Sequence, residues 1–236
     1  MSVWSRLGDF ISRISSSSLS DVIEALRTAF AGDPNTRRAV AFSVAMIALS
    51  AKMAKADGIV TDDEVKAFHR LFEVPSGEFA NVQRLFNIAK QDVAGYEFYA
   101  ERLANLCGSG SENCEMLEDI LDGLFHIAAA DGYLHQREEE FLGHVAEIFD
   151  IDESHYEMIR RRHVELGEED PYRILGVTRS QSFDEIRRQY RKLVADNHPD
   201  RLIARGVPPE FVAIANSRLA AINSAYEMIE RDMRVS

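Results

Sequence analysis

Cysteine is nearly absent: Cys107 and Cys114, separated by GSGSEN, are the only two in 236 residues. A lone pair cannot complete a structural zinc site, and the chain opens without a charged head, apolar run and small-residue cleavage site. Two reduced cytosolic thiols are therefore expected, not a disulfide framework. No segment offers the roughly eighteen apolar residues needed to cross a bilayer, and the expected location is the cytoplasm. Proline is scarce too, with six, and no long polar tract interrupts the chain, which excludes extensive disorder outside a short joint at SSSSLS, 15 to 20. An excess of positive charge is also missing. The net charge is −12, and residues 1 to 165 hold 16 Lys and Arg against 28 Asp and Glu, whereas 166 to 236 hold 11 of each. Phosphate affinity comes from neutralisation by Lys and Arg, so nucleic acid is not an expected partner. Runs of alternating β-branched residues are lacking as well, and no glycine-rich phosphate loop or Ser/His/Asp set can be argued from spacing, so neither an enzyme nor a cofactor is expected.

What is present is helical punctuation and period, and the expected fold is all-α. Asp33 and Pro34 make an N-cap and first-turn pair that opens a long apolar helix through AVAFSVAMIALSAKMAKA, expected to be the central one. Thr61 and Glu64 have capping-box spacing, and further helices are expected near 77 to 90, 94 to 107, 112 to 130, 136 to 149 and 153 to 165. Short connections between them favour a compact bundle. Before it, Val3, Trp4, Leu7, Phe10, Ile11 and Ile14 form an apolar stripe beside Arg6 and Arg13. That stripe suits three alternatives: peripheral contact with the inner face of a membrane, a partner protein, or its own domain. A homodimer is likewise left open.

One repeat stands out. AKADGIVTDDEVKAF at 54 to 68 matches AAADGYLHQREEEFL at 128 to 142, aligning Asp57, Gly58 and Glu64 with Asp131, Gly132 and Glu138. Each copy ends one apolar helix and begins another. As a calcium loop with glycine sixth, the first and third ligands would be Met53 and Lys55, or Ile127 and Ala129, which excludes a standard EF-hand. A glycine turn and a carboxylate capping a helix start account for the pattern. The apolar helix ending in ADG, followed by a capped helix, resembles the TerB-like helical domain of tellurite-resistance proteins. That resemblance covers about 34 to 150 and implies Asp57, Glu64, Asp131 and Glu138 as candidate metal ligands, the basis of an alternative reading as a metal-responsive stress protein.

After LGEEDP the pattern changes. DPYRILGV at 170 to 177 reads as a short helical segment closed by glycine, and Ser182 with Glu185 as a capping box opening a helix over 183 to 196. Its apolar face is Ile186, Tyr190 and Leu193; Arg187 with Arg191 and Arg188 with Lys192 form two exposed stripes at i, i+4 spacing. Proline stops that helix at His198, so HPD, His198 to Asp200, is expected on a loop continuing through LIARGVPP. A last helix follows from near Pro209 to about Arg231, with Phe211, Ala215, Leu219, Ile222, Tyr226 and Ile229 as the apolar face expected to complete an antiparallel hairpin.

DPYRILGV, the basic helix with YRKL, HPD and AINSAYEMI, in that order, resemble the J domain of DnaJ-type co-chaperones. The resemblance implies a DnaK-class (70-kilodalton heat-shock) chaperone as partner, whose ATP hydrolysis this chain stimulates without doing chemistry itself. Arg187, Arg188, Arg191 and Lys192 would then steer and dock; Asp200 would meet a basic group, His198 would hydrogen-bond, Pro199 would hold the shape, and Arg201 would extend the basic surface. No glycine/phenylalanine-rich stretch and no repeated CxxC motifs follow, so the substrate apparatus of the full DnaJ type is missing. A TerB-like domain with a terminal J domain resembles the DjlA class, although the N-terminal membrane segment frequent in that class is not seen. The expected organisation is an amphipathic segment at 1 to 32, a TerB-like bundle at 33 to 164 that targets an unknown protein client or a location, and a J domain at 165 to 236.

Overall fold

The computed structural model describes residues 2–13, 19–29, 33–56, 68–69, 74–92, 95–105, 115–131, 134–163, 170–205 and 207–235, and among these there are helices and turns but no strand. The centre is α3 (Pro34–Ala56). Asp33 caps it as expected, Oδ1 accepting the Thr36 amide at 3.1 Å, and Pro34 occupies the first turn, where its missing N–H costs nothing. Residues 40 to 54 of this helix are buried on every side, which is why they are apolar save Ser43, Ser50 and Lys52, the last donating to the Asp92 carbonyl at 2.9 Å.

Around α3 pack α1 (Val3–Arg13), α2 (Leu19–Ala29), α4 (Phe79–Gln91), α5 (Tyr96–Ala104), α6 (Glu115–Ala128) and α7 (Gln136–Ile148), while α8 (Glu153–His163) lies against α6. The N-terminal stripe is consumed here. Val3, Trp4, Leu7, Phe10 and Ile11 belong to the same core as α3, Arg6 donates to the Thr36 hydroxyl, and Arg84 of α4 donates to the Ile11 carbonyl at 3.1 Å. Of the three alternatives for this segment the structure takes its own domain, and peripheral membrane contact through residues 3 to 14 is corrected accordingly: the apolar side chains such contact needs are buried. Ile14 lies outside the described residues.

In the second copy of the repeat α6 ends in a tight turn at Ala129–Asp131 and α7 begins after His135, whose amide donates to Glu138 Oε2 at 3.0 Å. The first copy's turn, with Gly58, Thr61 and Glu64, lies outside the described residues, as do Cys107 and Cys114 and the SSSS of the joint.

Four more helices follow: α9 (Pro171–Ile174), α10 (Phe183–Asp196), α11 (Pro199–Arg205) and α12 (Val212–Val235). Asp170 caps α9 through the Tyr172 amide at 3.3 Å, and the turn closes on Gly176 at φ 64°, where the Val177 amide reaches back to the Tyr172 carbonyl at 2.8 Å. Glycine fits that left-handed position because a Cβ there would meet the following carbonyl. The Ser182–Glu185 capping box is formed in both directions, at 3.4 and 2.8 Å, and its bonds hold the Glu185 carboxyl below its ordinary pKa. Tyr172, Ile174, Leu175, Val177, Ile186, Ile222, Ala225 and Ile229 make a second, smaller core, with Tyr190 stacked on Tyr226 at 4.0 Å.

Two expectations are corrected. First, the last helix does not give one face to one hairpin. Phe211, Ile214 and Ala215 are buried in the large core, Phe211 lying 5.5 Å from Trp4 and edge-on to Phe42 at 4.9 Å, and only from Ile222 onward does α12 serve the small core. Gly123 of α6 permits this approach, since a Cβ there would come within 2.8 Å of both Ile214 and Met46. Secondly, HPD is not on a loop. Pro199 stops α10, then starts α11, because its fixed φ suits a first helical position as well as it blocks an interior one. Leu202, fully buried in the large core, supplies the packing that makes the short helix worth forming.

Candidate functional site

The site is built at the junction of α10 and α11. Asn197 closes α10: its amide and its side-chain Nδ2 both donate to the Leu193 carbonyl, at 3.0 and 2.7 Å. His198 follows as the residue whose carbonyl accepts the Arg201 and Leu202 amides, at 2.9 and 3.3 Å, the position of a helix N-cap. Its ring folds over the same turn, Nδ1 accepting the Asp200 amide at 3.2 Å and standing 3.6 Å from Asp200 Oδ2. The side chains remain open to solvent, 55% exposed for His198 and 89% for Asp200. Pro199 thus presents an imidazole and a carboxylate side by side on a convex helix start. Both groups are thereby open to contact from outside the chain.

Arg187, Arg188, Arg191 and Lys192 are all exposed on α10, the helix that runs into this turn, with the Arg187 guanidinium 5.7 Å from the Phe183 ring centre. Arg201 is drawn to Asp196 in an ion pair, so its charge is partly offset locally. All eight residues singled out in the sequence therefore lie on α10, the turn after it, or the start of α11.

The candidate metal ligands are described only in part. Asp57 and Glu64 lie outside the described residues, Asp131 ends the turn before α7, and Glu138, 2% exposed, accepts the His135 amide at the start of α7. Among the described residues no three His, Cys, Asp or Glu side chains converge as a metal ion requires. Glu138, the one candidate whose side chain is described, is engaged in capping α7.

One part of the site went unread in the sequence. Arg218 of α12, 4% exposed, donates through Nη1 to Asp119 Oδ1 at 2.8 Å and to Asn197 Oδ1 at 3.1 Å, and through Nε to Asp122 Oδ2 at 3.0 Å. Asp122 Oδ1 also accepts Arg162 Nη1 at 3.2 Å and lies 3.2 Å from His163 Nε2. Burial alone would raise the Asp122 carboxyl; Arg218, His163 and Arg162 outweigh it and hold the group well below the usual carboxylate range. Burial lowers Arg162 to about 10 in spite of Asp122. The signal was available: Asp119 and Asp122 stand at i, i+3 within the apolar LEDILDGLFHIA, and Arg218 interrupts the apolar spacing of the last helix. Charges of opposite sign on two buried faces call for each other.

Comparison with known proteins agrees with this layout. Residues 43–161 match the family model described as tellurite resistance protein TerB, and residues 170–234 match the DnaJ domain. A co-chaperone protein DjlA from Photobacterium profundum is 30% identical over 223 residues, covering 83% of this chain and 79% of that protein. The chain belongs to the DjlA co-chaperone family. Other DjlA co-chaperones are similar to it, that of Coxiella burnetii being 27% identical over 199 residues, with 76% and 73% of the two chains covered. For that of Shewanella oneidensis the match is 45% identical over 67 residues, 28% of this chain and 26% of the relative. No solved structure matches the chain. As a DjlA-family member the protein is a J-domain co-chaperone, a regulator of a chaperone, in which a TerB domain precedes the DnaJ domain. No helix among the described residues is long and apolar enough to cross a membrane.

Proposed function

We propose that this co-chaperone docks on a DnaK-class, 70-kilodalton heat-shock chaperone and stimulates its ATP hydrolysis, without catalysing a reaction itself. The observation that carries the reading is the exposed HPD turn at the end of an exposed basic helix face. Arg187, Arg188, Arg191 and Lys192 steer α10 onto an acidic chaperone surface, Asp200 meets a basic group there, and His198 hydrogen-bonds beside it. Pro199 fixes the turn so that docking does not have to order it. All the excess negative charge lies in residues 1 to 165, so an acidic partner repels the bundle and attracts α10. The molecule therefore approaches with its basic helix leading. The bundle, on this reading, targets the complex to a protein client or to a place in the cytoplasm.

Binding to the ATP-loaded DnaK-class chaperone, measured by biolayer interferometry over a salt series, tests this. Arg187→Glu with Arg191→Glu is expected to slow association by about tenfold at low salt, and the difference shrinks as salt screens the charges. Association that is equally fast in both proteins, at every salt concentration, would count against docking through α10.

A further inference from the structure

The docking motif is held from both sides by the N-terminal bundle. Leu202, four residues after His198, is buried in the large core beside Val207 and Phe211. Asn197, immediately before His198, is itself buried at 8% exposure, and its Oδ1 accepts a bond from Arg218, which in turn is gripped by Asp119 and Asp122 of α6. Between these anchors His198, Asp200 and Arg201 are exposed and Pro199 is half-buried.

Charge balance does not explain the whole arrangement. Asp119 and Asp122, both buried, need a cation, and Arg218 with Arg162 supplies it. The bond from Arg218 to Asn197 adds nothing to that pairing, since Asn197 is neutral. What it does is fix the residue that terminates α10. A guanidinium suits the task because its donors lie in one rigid plane, so holding two carboxylates through Nε and Nη1 also sets where the acceptor on Asn197 must be. The direction of the HPD turn is then defined relative to α6, and not only relative to its own hairpin.

We propose that Arg218 and Asn197 are positioning residues for the docking motif, through which the TerB bundle sets the orientation of His198 and Asp200. The proposal rests on the chaperone-docking reading for its functional consequence, but its structural content can be measured without a chaperone. The full chain is compared with Asn197→Ala and Arg218→Gln in two measurements. In the first, amide exchange is followed at Arg201 and Leu202, whose N–H groups bond to the His198 carbonyl, with Val177 of the small core as internal reference. Exchange at Arg201 and Leu202 is expected to quicken by about tenfold or more while Val177 is unchanged. In the second, stimulation of a DnaK-class chaperone's ATPase is titrated to saturation. The plateau is expected to fall by about threefold or more with the half-saturating concentration unchanged. A role confined to stability would do the reverse, lowering the folded fraction and so raising the half-saturating concentration with the plateau intact. Unchanged exchange in the variants, or an unchanged plateau where the parent stimulates, overturns the proposal. A parent protein that gives no stimulation overturns the docking reading instead, and exchange alone then decides the positioning. If Arg218→Gln fails to fold, Asn197→Ala, which leaves both carboxylates paired, carries the test.

Discussion

Phe211→Ala separates a J domain that shares its last helix with the bundle from one that hangs on it as an independent hairpin. By sequence Phe211 belongs to the second unit; in the structure it is fully buried among Trp4 and Phe42 of the first. Removing a buried phenyl ring costs about 3–5 kcal/mol in lost burial and residual cavity. That is a large share of a total stability of about 5–15 kcal/mol. With a urea slope of about 2–3 kcal/mol per molar, the unfolding midpoint falls by about 1.5 M. Trp4 is the only tryptophan and touches Phe211, so its fluorescence reports the bundle side of the contact directly. Amide exchange at Val177 reports the small core. The expected result is an earlier Trp4 transition accompanied by faster Val177 exchange, because one continuous helix serves both cores. A Trp4 midpoint displaced by the equivalent of less than about 1 kcal/mol would refute the reasoning. So would an unmoved Trp4 transition with accelerated exchange at Val177 alone, the behaviour of a freely hinged module.

Two further outcomes follow from buried or constrained groups. Asp122 is held below the usual carboxylate range when folded, so between that value and the unfolded value of about 3.9 the unfolded chain binds the extra proton. Its contribution to stability is therefore complete above the unfolded pKa and is lost as pH falls through the folded one; urea midpoints measured from pH 7 to pH 3 should drop less steeply in Asp122→Asn than in the parent, and parallel curves would contradict this. Gly176 stands at φ 64° with open space where a Cβ would go, so Gly176→Ala should lower stability by about 1–2 kcal/mol through backbone strain alone. A thermal melt with unchanged midpoint would show that the turn relaxes at no cost.

Most of the fold was legible because it is written in local signals. Asp33–Pro34 and Ser182–Glu185 each act within a few residues, and each forms the cap its spacing implied. The residues of the candidate site were legible as a group for the same reason: a basic stripe at helical spacing and a proline directly after it need no tertiary knowledge. What the sequence withheld depends on which helices meet. The split of α12 between two cores could not be read from Phe211, Ala215, Ile222 and Ile229, because an apolar stripe states that a face is buried and not what buries it. Arg218 belongs to the same class, its partners Asp119 and Asp122 lying about a hundred residues away along the chain, at separations of 99 and 96. HPD reads as a loop in the sequence because proline's power to end a helix is a local signal, whereas its use to begin one here depends on the anchor Leu202, which looks in sequence like any other leucine.

Docking of the HPD turn on the chaperone, as proposed, has a direct test. Steady-state ATP hydrolysis by a DnaK-class chaperone, with the full chain and with Asp200→Asn, tests it most directly. Asp200 is 89% exposed, and among the described residues its contacts are those of the turn with His198, so the substitution should leave the thermal midpoint where it was. Docking through Asp200 predicts stimulation by the parent and its loss, by about tenfold or more, in the variant. Equal stimulation by both proteins, or none by a folded parent, would contradict it.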